Sequence, residues 1–482
     1  MAASMCAHHA LTRLVPSFSD LDVTVSTASG GTLGYLLHQS TLATDDPVPD
    51  RPVAMSNLIE YPPHLNANLT LEQMKSNAAG KGHTWWANAI NYIPAGPPSQ
   101  DEALGDDAKG WWQDVMKTLF LVGYGVKGAD VAAARGAGHF VAGFAALRAS
   151  ACPLTLNSTT GVMIDAMRGM SLGGVETDPA EQGGTPVVHL PAMRLLPDSS
   201  ATNVSLLDAA AWSSAFWAAT IVDSKAAYAA EKAAELLNLG VLISANAELK
   251  EHSGARRHRD VEPASDDPFR VHLVDGGMVD TTGIVAMLQR GVSRILALYN
   301  NNDDLAHAAR DKNHSQSEQA SVAYLFGVDV VTDSMNSLAG PKLTQVFPAN
   351  LYPAVIANLT NGQNFARLVN VPVYANHYLG IAANFTLDEL IITANQPSDN
   401  FLDFFADTRI RAAVNPLWPN RMPLGLSAFD ANLMCQFERW KLQQHRERLL
   451  AFFSAAGEAS DSDARVVSHS QTSQAQTSPR AK

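Results

Sequence analysis

Apolar and polar residues alternate over positions 21–26 (LDVTVS), with Val23 and Val25 β-branched, and this two-residue period predicts a strand. A glycine-bearing turn, Thr27-Ala28-Ser29-Gly30-Gly31, follows, and residues 32–39 then read as a helix. Much later, the apolar run 271–274 is stopped by Asp275-Gly276-Gly277, which predicts a short buried strand and a tight turn. A helix over 283–290 and a strand over 294–299 come next, with further strands at 187–195 and 387–393. Strands alternating with helices predict an α/β fold of three layers, with helices on both faces of a central, mostly parallel sheet.

Helical spacing recurs at 71–78, 111–124, 205–237 (broken near Ser224) and 428–453, the last an amphipathic stretch ending in mixed charge. Residues 129–151 are rich in Ala and Gly, and their small side chains suit close helix packing. Residues 42–110 are dominated by Pro, Asn, Gly and Asp, so lid or inserted segments are expected within 42–200. The charged stretch 252–270 reads as an exposed loop. From 454 to 482 large apolar residues almost vanish; such a segment cannot offset its ordering entropy, and a disordered tail is expected after a single domain over 1–453.

Composition narrows the choice. Of 482 residues 46% are hydrophobic and 17% charged, enough apolar content to build a core. The net charge of −13 repels phosphate backbones, which argues against nucleic acid as a partner. Three cysteines, Cys6, Cys152 and Cys435, are too few and too scattered for a disulfide scaffold. The longest apolar run, 209–222, is too short to cross a bilayer, and the first fifteen residues lack the apolar stretch of a signal peptide. The six N-x-S/T sequons therefore carry little weight, and the cytoplasm is the default compartment, with a peripheral membrane encounter left open.

Two turns could carry chemistry. A serine on a sharp strand-to-helix turn is held clear of its own strand, and the helix start behind it favours developing negative charge. Ser29 fits that description, although Thr27 replaces the first glycine of the usual G-x-S-x-G elbow and Ser-Gly-Gly also makes ordinary turns. Asp275 ends an apolar strand, with Gly276 and Gly277 leaving room beside it; by itself Asp-Gly-Gly is a plain turn signal. Together they could form a dyad in which the carboxylate takes the hydroxyl proton as serine attacks an ester. Both stand at expected strand ends, where open sheets place their sites. Other motifs fall short. Gly123-Tyr124-Gly125-Val126-Lys127-Gly128 matches G-x-G-x-x-G but has no acidic residue at the distance a dinucleotide ribose needs. Lys81 lacks a phosphate-cradling loop, the histidines and cysteines lack metal-ligand spacing, and His377 reads as structural. No metal or organic cofactor is expected. The pairs Trp85-Trp86 and Trp111-Trp112 read as core aromatics, with an acyl-chain entrance or a membrane-touching surface as the alternative.

Ser29-Gly30-Gly31 with the later Val274-Asp275-Gly276-Gly277 resembles the patatin-like phospholipases and the cytosolic phospholipase A2/lysophospholipase family. Asp208-Ala209-Ala210-Ala211-Trp212-Ser213-Ser214-Ala215 is similar to a helix of these lipases. Residues 278–284 with 288–292 resemble the segment behind the dyad aspartate, where the family often has Asn at the place of Thr281, and 373–380 with 385–392 resemble its last strands. The resemblance implies the patatin-like three-layer fold. It also implies hydrolysis of fatty-acyl esters in phospholipids or other acyl lipids, by Ser29 as nucleophile and Asp275 as base, without a cofactor. Gly30 and Gly31 would form the elbow and part of the oxyanion hole, and Gly276 and Gly277 would support the site. The family's glycine-rich oxyanion loop lies upstream of the nucleophile, and no glycine precedes Ser29 here; residues 1–15 instead resemble the helix after that loop, as in a chain truncated at its amino end. Losing such a loop should be severe, at roughly 10²–10³ in rate for a single donor. A second expectation is therefore an impaired enzyme of the same fold that binds lipid or a partner. A third is an unrelated α/β protein whose glycine turns are structural.

Overall fold

A computed structural model describes residues 2–16, 18, 21, 23, 25–28, 30–35, 65–75, 140–148, 171–177, 187–189, 240–243, 269–275, 280–289, 291–299, 319–328, 344–376, 379, 381, 383–396, 398–414 and 428–463. Among these residues helices and strands are mixed, and the strands form two sheets. The first holds β1 (Val25–Ala28), β2 (Phe140–Arg148), β3 (Ser171–Thr177), β4 (Val187–His189), β5 (Gly240–Ile243) and β6 (Phe269–Asp275) in the order β4-β3-β2-β6-β5, with β1 also on β2. Only β1 and β2 pair in parallel; the other ladders of this sheet are antiparallel. The mostly parallel sheet expected from the sequence is thus corrected for the described residues. Alternation of element types does not reveal whether a connection crosses over or returns, and here the returns dominate.

The second sheet has the order β7-β9-β8, formed by β7 (Arg294–Leu298), β8 (Phe365–Val373) and β9 (Phe385–Thr393). β7 and β9 are parallel, β8 and β9 antiparallel. The central strand β9 is buried without a break from Glu389 to Thr393, as a strand covered on both faces must be. β8 lies on the edge, and that position accommodates Pro372 and the left-handed Asn370 (φ 51°). Ile284–Leu288 of α3 (Ile284–Gln289), with α4 (Gln319–Leu325) and α5 (Tyr352–Thr360), join β7, β8 and β9 in one apolar core.

Glu389 sits in β9 between two guanidiniums. Arg294 reaches it from β7 at 2.5 Å and Arg367 from β8 at 2.5 Å, while the Arg294 guanidinium lies over the Phe452 ring at 4.5 Å. The two arginines outweigh burial and hold the carboxyl below its usual range. A depressed folded pKa adds stability above the unfolded value and loses it as pH falls through the carboxylate range. Glu389→Gln is therefore expected to lower stability by about 2 kcal/mol at neutral pH, and its urea-denaturation midpoint should converge on that of the parent as the solution is acidified.

The helical half is built around α8 (Ala428–Gln444). Phe429, Leu433, Phe437 and Trp440 face Met74 of α2 (Leu71–Lys75), Phe401 of α6 (Asp399–Leu402) and Ile410 of α7 (Thr408–Ala413). Beyond His445 a second helix, α9 (Arg446–Asp463), packs Leu449, Phe452 and Phe453 with Ala10 and Leu11 of α1 (Ala2–Leu14). The expected single helix over 428–453 is thus two, and helix reaches Asp463, inside the stretch read as disordered. Residues 464–482 lie outside the described residues. The Ala/Gly-rich stretch read as suited to helix packing contains strand β2, where pairing with β1, β3 and β6 overrides alanine's helical preference. The expected helices at 111–124 and 205–237 lie outside the described residues. Among the described residues no helix is long and apolar enough to cross a membrane.

Cys6 of α1 and Cys435 of α8 form a disulfide, with Cα atoms 5.0 Å apart across 429 positions of sequence. Three cysteines make no disulfide scaffold, but two of them are joined by the packing of α1 on α8. Of the three cysteines only Cys152 should react with a thiol reagent in the unfolded, unreduced protein. Cys6→Ser is expected to cost about 2–4 kcal/mol in chemical denaturation by freeing so long a loop.

Candidate active site

β1 is short because its edge of β2 is shared. β3 pairs with Phe140–Ala146 along one edge of β2, which leaves β1 and β6 the other edge. On it Ala28 stands opposite Gly143 and Asp275 opposite Phe144, so the two strands occupy consecutive rungs, separated along β2 by roughly one residue rise of ~3.4 Å. β1 runs parallel to β2 and β6 antiparallel, so they approach each other and meet at their carboxyl ends. β1 cannot extend along this edge past Ala28, because Asp275 holds the next rung. The shared rim expected of a parallel sheet is replaced by two strand ends meeting midway along β2.

Ser29, Gly276 and Gly277 lie outside the described residues, as do His377, Lys81, the 123–128 motif, the 208–215 helix and both tryptophan pairs. Ser29's chain neighbours are described: Ala28 closes β1, and Gly30 and Gly31 open a helical segment over 30–35. The Thr27 and Thr32 hydroxyls meet at 3.0 Å, both buried, and tie the strand to the helix across the turn. Thr27, which breaks the G-x-S-x-G pattern, thus supplies one half of that tie. From above, α1 packs onto the helical segment: a Cβ on Gly31 would lie 3.6 Å from Ser4 Oγ, and the His8 and Tyr35 rings meet edge-on at 4.9 Å. Burial lowers the His8 pKa to about 4, so the imidazole is neutral at physiological pH.

A second carboxyl stands close to this place in the chain. Asp280 is 1% exposed and accepts hydrogen bonds from the Thr282 backbone N–H (2.8 Å), the Thr282 hydroxyl (2.5 Å) and the Val285 N–H (2.8 Å). Burial raises its pKa despite these donors. With its lone pairs turned to the turn and to the first residues of α3, Asp280 serves as a cap rather than a free base. Sequence reasoning passed over it, although Asp280-Thr281-Thr282 ahead of the apolar Ile284-Val285 is a helix-start signature. Gly283, with φ +70°, leads from this cap into α3, and a Cβ there would stand 3.1 Å from Ser26 Oγ of β1. Among the described residues no three His, Cys, Asp or Glu side chains cluster as a metal ion requires.

Set against known proteins, the chain matches no family model, no curated protein and no solved structure.

Proposed function

We propose that the chain is a lipid acyl hydrolase of the phospholipase A2/lysophospholipase type, with Ser29 as nucleophile and Asp275 as its base, on a patatin-like three-layer fold. The observation that supports this reading best is the meeting of β1 and β6: Asp275 holds the rung beside Ala28, the residue directly before Ser29. A proton-transfer pair must lie within hydrogen-bond reach, and strand ends that share one edge of β2 are compatible with that requirement. In the reaction Ser29 Oγ attacks the acyl carbonyl, and its proton passes to Asp275 and then to the departing alcohol. Water, deprotonated by the same carboxylate, next cleaves the acyl-serine ester and regenerates the hydroxyl. The Gly30 amide, at the start of the helical segment, supplies one donor to the oxyanion. Every step is proton transfer and acyl transfer between groups of the chain, substrate and water. The protein meets its substrate at a membrane surface.

A fluorophosphonate probe tests this reading. The expected result is one covalent adduct, mapped by peptide mass spectrometry to Ser29, on a protein that also releases fatty acid from phospholipid vesicles. A chain that binds such vesicles but takes no adduct at Ser29 is a lipid-binding module, and the hydrolase reading then falls.

A further inference from the structure

Three N-x-S/T sequons, Asn68-Leu69-Thr70, Asn358-Leu359-Thr360 and Asn384-Phe385-Thr386, fall wholly within the described residues. So short a pattern recurs by chance, and by itself it carries little weight. The Cys6–Cys435 disulfide changes that weight. Such bonds form and persist in oxidising compartments, whereas the cytoplasm, the default expectation, keeps thiols reduced. A chain that closes this bond has passed through the kind of compartment in which surface asparagines of this pattern receive oligosaccharides.

Folding sorts the three sequons. In two of them the middle residue is anchored and the asparagine is not. Leu69 is 1% exposed and packs in the cluster around Phe401 and Phe437, while Asn68 is exposed in a turn. Asn66 Oδ1 holds that turn by accepting from the Asn68 N–H at 2.9 Å. Thr70 closes it as the cap of α2: its hydroxyl accepts from the Gln73 N–H at 3.2 Å, and its own N–H donates to Gln73 Oε1 at 2.9 Å. Phe385 likewise packs against the core of the second sheet, and Asn384 is exposed just ahead of β9. Asn384 Oδ1 accepts from the Ala375 N–H at 2.6 Å, which fixes the side chain by its oxygen and leaves Nδ2, the atom that takes a sugar, on the exposed side chain. Asn358 differs. It lies inside α5, where its Nδ2 donates to the Ala354 carbonyl at 2.9 Å and the Thr360 hydroxyl donates to the Ile356 carbonyl at 2.8 Å, so the helix uses both polar groups of the sequon.

We infer that Asn68 and Asn384 are N-glycosylation sites of a chain matured in an oxidising compartment. In the transfer, asparagine Nδ2 attacks the anomeric carbon of an oligosaccharide carried on a polyprenyl diphosphate. The N–C bond forms as the C–O bond to the diphosphate breaks; the amide gives up one proton and the lipid diphosphate departs. The inference is independent of the hydrolase reading, and a chain that takes no adduct at Ser29 leaves it untouched.

The full-length protein isolated from its own cells, with thiols blocked at lysis, supplies the test. An amidase that strips N-linked glycans turns each glycosylated asparagine into aspartate, and peptide mapping of treated and untreated protein reads each site. The expected result is conversion at Asn68 and Asn384, clearly less at Asn358, and a Cys6–Cys435 linked peptide in the same sample. Thr386→Val, made in the same cells, keeps Asn384 and an exposed strand position but removes the sequon hydroxyl, and it should lose conversion at Asn384 alone. A bare asparagine at 68 or 384 overturns the assignment there, whether or not the disulfide has formed. Conversion at Asn358 equal to that at the other two overturns the structural selection, and conversion at Asn384 that survives Thr386→Val overturns its reading as a sequon.

Discussion

Asp275→Asn should lower kcat for ester hydrolysis by about 10⁴-fold, the scale seen when a carboxylate partner in a hydrolase site is replaced by its amide. Ser29→Ala should fall at least as far. The double variant should be no slower than the slower single one, because groups that act as one unit fail together and their losses do not add. Steady-state hydrolysis of phospholipid and of short-chain esters by the three variants makes the comparison. Additive losses, with the double variant slower than either single one by the product of their effects, would show two independent contributions instead of a dyad. The size of the expected loss follows from the role: without a base the serine hydroxyl is a weak nucleophile, and its proton has nowhere to go as the bond forms.

The second large effect concerns stability and lies far from the strand ends. In α8 the Lys441 ammonium is 2.8 Å from Glu438 and donates to Asn395 Oδ1 at 2.7 Å, with both charged side chains fully buried. Burial pushes the Glu438 carboxyl up and the Lys441 ammonium down, while each partner draws the other part of the way back. Lys441→Met leaves a carboxylate in the core with no counter-ion and is expected to cost about 3–5 kcal/mol. Replacing both, with Lys441→Met and Glu438→Leu, should return much of that, since the desolvation of both charges is then relieved. The lone Glu438 of the single variant keeps a raised folded pKa, so that variant should weaken further as pH rises through it and regain stability in acid. Urea denaturation of the parent, Lys441→Met, Glu438→Leu and the double variant at two pH values measures the cycle.

These buried charges also show why part of the fold could be read from the residues and part could not. β6, α3, β7 and β9 are mostly apolar, and they stand close to where the sequence pattern places them. β8 was missed because Arg367, Asn370 and Pro372 interrupt it, and only an edge strand accepts such residues. α8 looked amphipathic because Asn432, Gln436, Glu438, Arg439 and Lys441 are polar, yet all five are buried, and Lys441 for one is satisfied by Glu438 and Asn395. Periodicity assumes that polar residues face water, and here they do not. The direction of β6 and the Cys6–Cys435 bond were hidden for a different reason. Both depend on which distant segments pack together, and no local pattern encodes that.

The candidate site divides along the same line. Asp275 at the end of a strand, and a glycine turn leading into a helix, were legible from local signals, although the helix expected from Thr32 begins at Gly30. That β1 and β6 would share one edge of β2 and meet end to end was not, because their common partner lies more than a hundred residues from each of them.

The convergence of the two strand ends can be measured by cross-linking. With Cys152→Ser to leave only the paired native cysteines, Ser29→Cys and Asp275→Cys are introduced together and the folded protein is exposed to a mild oxidant. A disulfide forms readily only where Cα atoms lie within about 4.4–6.8 Å. Rapid formation of a 29–275 bond, identified by non-reducing peptide mapping, is the result this arrangement requires. A folded protein in which the two new thiols stay reduced, while a urea-unfolded sample of the same variant cross-links at random, would contradict it.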